Sequence, residues 1–213
     1  MQQTPASDVA FSTAVKAVQA QRGSREGFAR MEQKGGWRTL ITPELALFLG
    51  RARSFYFATA SADGQPYIQH RGGPEGFLRV LDQRTLGFAD YAGNRQYITT
   101  GNLSENPRAM LFVMDYPARR RVKLWGTARF IAEAAALQPQ LWTELWPQGY
   151  AARPEQAILF DLVAWDTNCA QHIPRLFPAE DVGETIRQFQ ARIRELEAEV
   201  ERLKGSAAPP SPG

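Results

Sequence analysis

Residues 84–108, RTLGFADYAGNRQYITTGNLSENPR, contain an extended run, a turn and a short helical stretch in direct succession. The aromatic and β-branched residues of the first part favour a strand, and the Gly93-Asn94 pair favours a turn. The Asn106-Pro107 pair ends the helical stretch, because the residue before a proline disfavours helical backbone. The pattern therefore predicts a strand–turn–helix unit with Arg95 at the start of the helix.

Short segments of the same extended character lie on both sides of this unit from residue 54 onward. They are rich in aromatic and β-branched residues and are separated by turn-forming groups such as Asp-Gly and Gly-Gly-Pro. Even spacing of short strands is typical of a barrel or a sandwich, so the predicted fold class is mainly β with flanking helices. We predict about seven strands, in the segments SFYFATAS, QPYIQHRG, GFLRVLD, TLGFADYA, RAMLFVMDY, RVKLWGTARFIAE and QAILFDLVAWDTN.

The predicted strands lie in the second of four regions. Residues 1–53 are predicted to form an N-terminal helical extension, residues 54–178 the barrel domain, residues 179–204 a coiled-coil-like helix and residues 205–213 a disordered tail. The C-terminal helix is predicted to pack on a partner subunit or on the barrel, because one of its faces is apolar at spacings of three and four residues. That face consists of Ile186, Phe189, Ile193, Leu196, Val200 and Leu203.

Composition and charge argue against several classes of protein. The chain has 213 residues, of which 44% are hydrophobic and 22% charged, as in a globular protein with one main domain. Its apolar runs are far shorter than a membrane span, and no nucleic-acid-binding motif accompanies the one basic cluster, residues 118–123. The single cysteine, Cys169, cannot form an internal disulfide. We therefore expect a cytoplasmic protein with no membrane, nucleic-acid or metal partner.

Four motifs follow one another in an order that resembles a known family. They are DGQPYIQHRGG, GFADYAGNRQ after an apolar strand, ENPRAMLFVMDY and RRRVKLWGTARF. Together they resemble the flavin-binding core of the pyridoxamine 5'-phosphate oxidase superfamily, the FMN-binding split barrels. The resemblance covers roughly residues 54–132 and extends more loosely to residue 168. It implies a six-stranded antiparallel split barrel and a homodimer with one FMN in each of two clefts shared between subunits.

The resemblance gives the turn after the fourth predicted strand a role at the FMN phosphate. In the family this turn carries a small polar residue, an arginine and usually a lysine, and here these positions hold Asn94, Arg95 and Gln96. A phosphate dianion needs positive charge and N–H donors, and a helix N-terminus supplies such donors. Because Gln96 replaces the lysine, one charge has to come from elsewhere.

The strand PYIQHRGG is the expected source of that charge. Strand alternation places Gln69 and Arg71 on one face and His70 on the other. The resemblance places Gln69 at the position of a flavin-contacting arginine, and Arg71 can supply the missing charge. Asp90 matches a further flavin-contacting position. As alternatives, the arginines can be surface ion-pair partners, and Asp90 can simply cap a turn.

Two further groups of residues are candidates for the cofactor site. Alternate residues of a strand share a face, and the same alternation is expected to bring Arg121 and Lys123 of a later strand to the face of Gln69 and Arg71. The resemblance also matches Arg121 to a flavin-contacting glutamine of the family. The second group lies in residues 164–177, where the chain leaves the last predicted strand. This segment either lines the neighbouring subunit's cleft or forms a buried loop that packs Trp165 and Phe177. Its polar members are Asn168, Gln171 and His172.

The resemblance leads to three functional hypotheses. The first is an FMN-dependent oxidoreductase that takes reducing equivalents, for example from a reduced nicotinamide, and passes them to a small acceptor or to oxygen. The second is a flavin-binding carrier or redox sensor without turnover. The third is a split barrel that binds haem or a deazaflavin. No catalytic residue is assigned, and pyridoxamine phosphate is not expected as a substrate because the family's Trp- and Arg-rich C-terminal segment is absent.

Overall fold

A computed structural model describes residues 4–131, 139–147, 149–167 and 171–206. After a 3₁₀ turn at Ala6–Val9, the helices are α1 (Thr13–Gln21), α2 (Arg25–Gln33), α3 (Pro43–Gly50), α4 (Ile98–Glu105), α5 (Pro139–Leu145) and α6 (Ala179–Ser206). The strands are β1 (Ser54–Ala60), β2 (Pro66–Gly72), β3 (Arg79–Val80), β4 (Thr85–Tyr91), β5 (Arg108–Asp115), β6 (Arg120–Ile131) and β7 (Pro154–Thr167).

All seven strands belong to one antiparallel sheet in the order β2-β1-β5-β6-β7-β4-β3. This arrangement confirms the predicted mainly β fold with flanking helices, of the split-barrel type. Six strands are long, and β3 is reduced to two residues because the preceding chain turns, with the Phe77 N–H donating to the Pro74 carbonyl at 3.0 Å. The segment GFLRVLD is therefore mostly not a strand.

The core fills the inside of the barrel with side chains that alternate along the strands. In β1, Phe55 and Phe57 are almost fully buried, whereas Tyr56 between them is 37% exposed. Helix α3 contributes from outside the sheet, and Thr42 is its N-cap, because Thr42 Oγ1 accepts the Leu45 N–H at 3.3 Å. The largest fully buried side chains are Phe55, Phe57, Phe77, Phe88, Phe160, Leu49, Leu78, Leu86, Leu111, Leu124, Leu145 and Ile158.

Strand register decides which side chains share a face of the sheet. Gln69 of β2 is opposite Phe57, Phe57 is opposite Leu111 of β5, and Leu111 is opposite Leu124 of β6. The face that carries Gln69 therefore continues to Leu124 inside the barrel. Lys123 is opposite Phe112 and belongs to the other face.

Two features with functional meaning are absent from the described part of the chain. Among those residues, no helix is long and apolar enough to cross a membrane. The same residues contain no cluster of three or more His, Cys, Asp or Glu side chains that can hold a metal ion. The predicted disordered tail, residues 205–213, lies almost entirely outside the described ranges, and its side chains are not described at all.

Candidate functional site

A cleft opens where β2, β4 and the first turn of α4 meet. Its cavity volume is about 50 Å³, and the wider space of about 400 Å³ between its walls includes open solvent. The loop between β4 and α4, residues 93–97, forms its rim, and one residue of β7 contributes to the wall. The side chains and backbone that line it belong to Tyr67, Gln69, Arg71, Asp90, Tyr91, Gly93, Asn94, Arg95, Gln96, Tyr97, Ile98, Thr99, Thr100 and Glu155.

The floor of the cleft is a hydrogen-bonded network built around an ion pair. Arg71 of β2 donates to Asp90 of β4, and the two side chains are only 14% and 11% exposed. Arg71 Nη2 also donates to the Thr99 hydroxyl at 3.4 Å, and this hydroxyl donates to Gln69 Oε1 at 3.1 Å. The network therefore ties β2 and β4 to the start of α4.

Gln156 of β7 completes this network on its far side. Its Nε2 donates to Asp90 Oδ2 at 2.9 Å and to the Thr100 hydroxyl at 2.8 Å. Asp90 thus accepts hydrogen bonds from side chains on two different strands, which fixes the orientation of its carboxylate. One donor remains unused: Arg71 Nε is buried and has no acceptor among the described residues.

The rim loop has a strained backbone that leads directly into α4. Arg95 and Tyr97 both adopt left-handed conformations, with φ of 58° and 51°, which are unfavourable for residues other than glycine. Asn94 stabilises the loop, since its Oδ1 accepts the Gln96 N–H at 3.2 Å. Tyr97 is the N-cap of α4 and provides no capping side-chain hydrogen bond. The first turn of α4 therefore presents backbone donors to the cleft without a side-chain cap.

The formal charges of the cleft cancel, but they are not evenly distributed. Asp90 neutralises Arg71 inside the cleft, and Glu155 lies at the exposed wall. Arg95 is exposed at the rim, and it forms no ion pair within the described ranges. Arg95 is consequently the cation of this cleft whose donors are not already engaged. An anion can reach it together with the first turn of α4.

The structure brings six of the predicted site residues to this one cleft. They come from β2, β4 and the rim loop, as the sequence analysis expects of a shared site. The pairing of Arg71 with Asp90 also shows that one of the alternatives, an ion-pair role for this arginine, holds within the cleft itself. The six residues are Gln69, Arg71, Asp90, Asn94, Arg95 and Gln96.

Arg121 and Lys123 do not join this cleft in the same chain. The expectation that they share a face with Gln69 is wrong, because the register places them on the opposite side of the sheet. Lys123 instead lies 5.3 Å from the ring centre of Trp125, which stacks on Trp37 at 4.5 Å.

Beside this aromatic pair, Asp166 of β7 is directly opposite Lys123 of β6. Burial raises the pKa of the Asp166 carboxyl, and the Lys123 ammonium partly offsets the rise.

The strand-exit residues also lie away from the cleft of their own chain. Gln171 and His172 are exposed, and His172 has a left-handed φ of 63°. The alternative of a buried loop that packs Trp165 and Phe177 holds for Trp165, which is 7% exposed, and is wrong for Phe177, which is 58% exposed. Asn168 and Cys169 lie outside the described residues. A contribution of these residues to a neighbouring subunit stays a prediction.

Sequence reasoning missed three polar residues that organise the cleft. The threonine pair Thr99-Thr100 had a signal, because hydroxyls in the first turn of a helix after a turn are suited to anions. No sequence signal could have identified Gln156, because its contact with Asp90 depends on the pairing of β4 with β7 across 66 residues of sequence. His70 is placed as expected, with its ring 5.8 Å from Tyr56 on the outer face.

Tyr91 lines the cleft with a hydroxyl group that is buried and has no partner among the described residues. Its ring lies 5.2 Å from Tyr150. Burial raises the pKa of the Tyr91 phenol to about 12, with a smaller contribution from Tyr150. The neutral phenol therefore contributes stability that is complete below its ordinary pKa of 10.0 and is lost as the pH rises toward 12.

We predict that, in an alkaline titration followed by tyrosinate absorbance, one tyrosine ionises at a higher pH than the others. Tyr91→Phe is expected to remove this step. Tyr97→Phe is the matched control, because Tyr97 is 53% exposed at the rim of the same cleft. Removal of this step by the control instead of by Tyr91→Phe would contradict the assignment.

Comparison with known proteins places this fold and cleft in a family. A sequence model of the pyridoxamine 5'-phosphate oxidase family matches residues 41–169, more than half of the chain. This chain belongs to the pyridoxamine 5'-phosphate oxidase family. The match includes all seven strands and α4, so it contains the entire cleft, and it confirms the resemblance seen in the four motifs.

Solved structures with a similar fold include three proteins of distant sequence. HupZ of Group A Streptococcus is 20% identical, with 64% of this chain and 99% of that one covered and a TM-score of 0.47. An FMN-binding protein from Syntrophomonas wolfei is 12% identical, with 70% and 97% covered and a TM-score of 0.41. General stress protein 26 of Bacillus anthracis is 13% identical, with 57% and 88% covered and a TM-score of 0.39. No curated protein matches the chain significantly.

Proposed function

We propose that this protein binds FMN in the cleft between β2, β4 and α4, with the phosphate at Arg95 and the first turn of α4. The observation that carries the proposal is the position of Arg95, exposed and without an ion pair in the described chain, next to a helix N-terminus that has no side-chain cap. A dianion at a helix N-terminus is favoured by the backbone donors and by the helix dipole.

The remaining residues of the cleft fit a phosphate and a polar planar group. The Thr100 hydroxyl and the Asn94 and Gln96 amides stand around the same helix start and provide neutral donors, whereas the Thr99 hydroxyl already donates to Gln69. The Arg71–Asp90 pair and Gln69 form a polar floor deeper in the cleft. FMN would supply the redox chemistry by accepting a hydride or electrons from a donor and passing them to an acceptor.

We further propose that the protein is an oxidoreductase that acts on a small molecule, and that it forms a homodimer with shared clefts. The outward face of β6 with Arg121 and Lys123, and the exposed Gln171 and His172, would then serve the partner subunit's cleft. Exposed apolar side chains on the outer faces of β1 and β2, Tyr56 at 37% and Ile68 at 60%, support burial in such a dimer. A reduced nicotinamide is the proposed electron donor.

A flavin carrier or sensor without turnover is the second candidate function. It is favoured by the chemistry of the cleft floor, where the Arg71 and Asp90 charges pair with each other and are not free for proton transfer. Neither His70 nor His172 lines the cleft, so a catalytic imidazole is not available there from the same chain. The same placement of both histidines argues against axial haem ligation in this cleft.

The purified protein tests these functions by its absorption spectrum and its turnover. We expect bound FMN at about one per chain and oxidation of NADH or NADPH with oxygen or a quinone as acceptor, while pyridoxamine phosphate yields no hydrogen peroxide. Flavin without turnover of any donor would favour the carrier. A haem spectrum, or tight binding of the deazaflavin F420 in preference to FMN, would contradict the FMN proposal.

A further inference from the structure

Helix α6 carries an apolar stripe that no part of the described chain covers. Between Ala179 and Lys204, where its side chains are described, none of them is buried. Exposed apolar residues follow one another along the helix at spacings of four and three. They are Val182, Ile186, Phe189, Ile193, Leu196, Val200 and Leu203, each between 44% and 65% exposed. The described part of the chain therefore leaves the apolar face of this 28-residue helix without a packing partner.

The composition of the stripe indicates how many helices it joins. In a heptad frame, the a positions hold Ile186, Ile193 and Val200, which are all β-branched. Leucine occupies two of the d positions, at Leu196 and Leu203. β-Branched residues at a with leucine at d favour two parallel strands over higher-order coiled coils.

The charges beside the stripe match a second copy of the same helix. In a parallel in-register pair, each g residue faces the e residue five positions later in the partner. Arg192 at g then faces Glu197 of the partner subunit, and Glu199 at g faces Lys204 of the partner subunit. Both contacts are attractive, and the two-fold symmetry of the pair repeats each of them. The next pair toward the N-terminus, Thr185 and Gln190, is uncharged.

We propose that α6 forms a parallel, in-register, two-stranded coiled coil with α6 of a second copy of this chain. The symmetry axis of such a pair runs along the helices, so the contact is closed and joins two copies only. This pairing covers the stripe that the barrel leaves exposed. It is independent of what the cleft binds, because the cleft residues and the stripe belong to different elements.

Disulfide trapping in the full-length protein tests both the contact and its direction. The native thiol is removed by Cys169→Ser, and Val200→Cys then places one thiol at an a position. The matched control is Ala198→Cys, which places the thiol on the outer side of the same turn. A disulfide needs Cβ atoms about 4 Å apart, so we expect the Val200→Cys protein to form covalent dimers at least about tenfold faster than the control under mild oxidation.

Two further measurements separate a specific helix pair from random collision of thiols. Adding Leu196→Glu to Val200→Cys is expected to abolish the covalent dimer while near-UV circular dichroism shows an intact barrel. In a mixture of Ile186→Cys and Leu203→Cys proteins, we expect disulfides to link only two copies of the same variant. Equal rates for Val200→Cys and Ala198→Cys would overturn the proposal, and so would preferential cross-linking of residue 186 to residue 203, which requires antiparallel helices.

Discussion

Gly126→Ala is expected to destabilise the barrel by about 3 kcal/mol or more, at the upper end of what overpacking costs. Gly126 lies at a β-bulge between β6 and β7, where the register shifts. A Cβ atom at this position would overlap the Asp161 carbonyl oxygen and lie 2.7 Å from the Phe160 ring. The carbonyl belongs to the neighbouring strand β7, so relief of the overlap requires β6 and β7 to separate.

Gly87→Ala is the matched control for this effect. The three atoms nearest to its Cβ would all be ends of leucine side chains, and the closest would be Leu145 Cδ2 at 2.6 Å. Side-chain ends can rotate away, so we expect a loss of about 1 kcal/mol, at the lower end of the range for overpacking. Urea unfolding followed by circular dichroism measures both variants, and equal destabilisation by the two would show that the backbone contact at Gly126 is not decisive.

Arg95→Ala is expected to weaken FMN binding by about thirtyfold or more while leaving the unfolding midpoint unchanged. The side chain is exposed and has no ion-pair partner in the described chain, so its removal takes little from the folded state. It does remove the one cation of the described cleft that is not already neutralised. Arg22→Ala, an exposed arginine outside the cleft, is the control and should bind FMN normally.

Two other cleft variants separate binding from folding. Arg71→Ala leaves Asp90 largely buried without its ion-pair partner, so we expect it to lose both stability and FMN affinity. Glu155→Gln removes a negative charge from the wall of the cleft and should strengthen FMN binding. A loss of FMN affinity in Arg71→Ala with full affinity in Arg95→Ala would move the phosphate away from the rim loop.

The strands and the rim loop are predictable because their signals are local. Aromatic and β-branched residues bounded by turn-forming groups mark β1, and the Gly93-Asn94 turn marks the passage from β4 to α4. Gln69 and Arg71 can be assigned to one face because they lie two residues apart in one strand. Sequence alone therefore finds six of the cleft residues that belong to β2, β4 and this loop.

The errors about which residues share the cleft concern relations between strands, which no local pattern contains. The face of Lys123 relative to Gln69 depends on the register of three successive strand pairs. The pairing of Arg71 with Asp90 likewise requires β2 and β4 to approach each other across the barrel. Sequence spacing shows neither the register nor the approach of β2 to β4. The sequence analysis therefore assigns Arg71 to the phosphate, although the Arg71 charge is already paired with Asp90 in the cleft.

The comparison of FMN with riboflavin tests the central claim most directly, because the two ligands share the ring system and differ in the phosphate. Flavin fluorescence quenching gives both affinities for the apoprotein and for Arg95→Ala. We expect the wild-type protein to bind FMN at least about a hundredfold more tightly than riboflavin, and we expect this ratio to collapse in Arg95→Ala. Equal affinities of the wild-type protein for the two ligands, or no binding of either, would contradict a phosphate site at the start of α4.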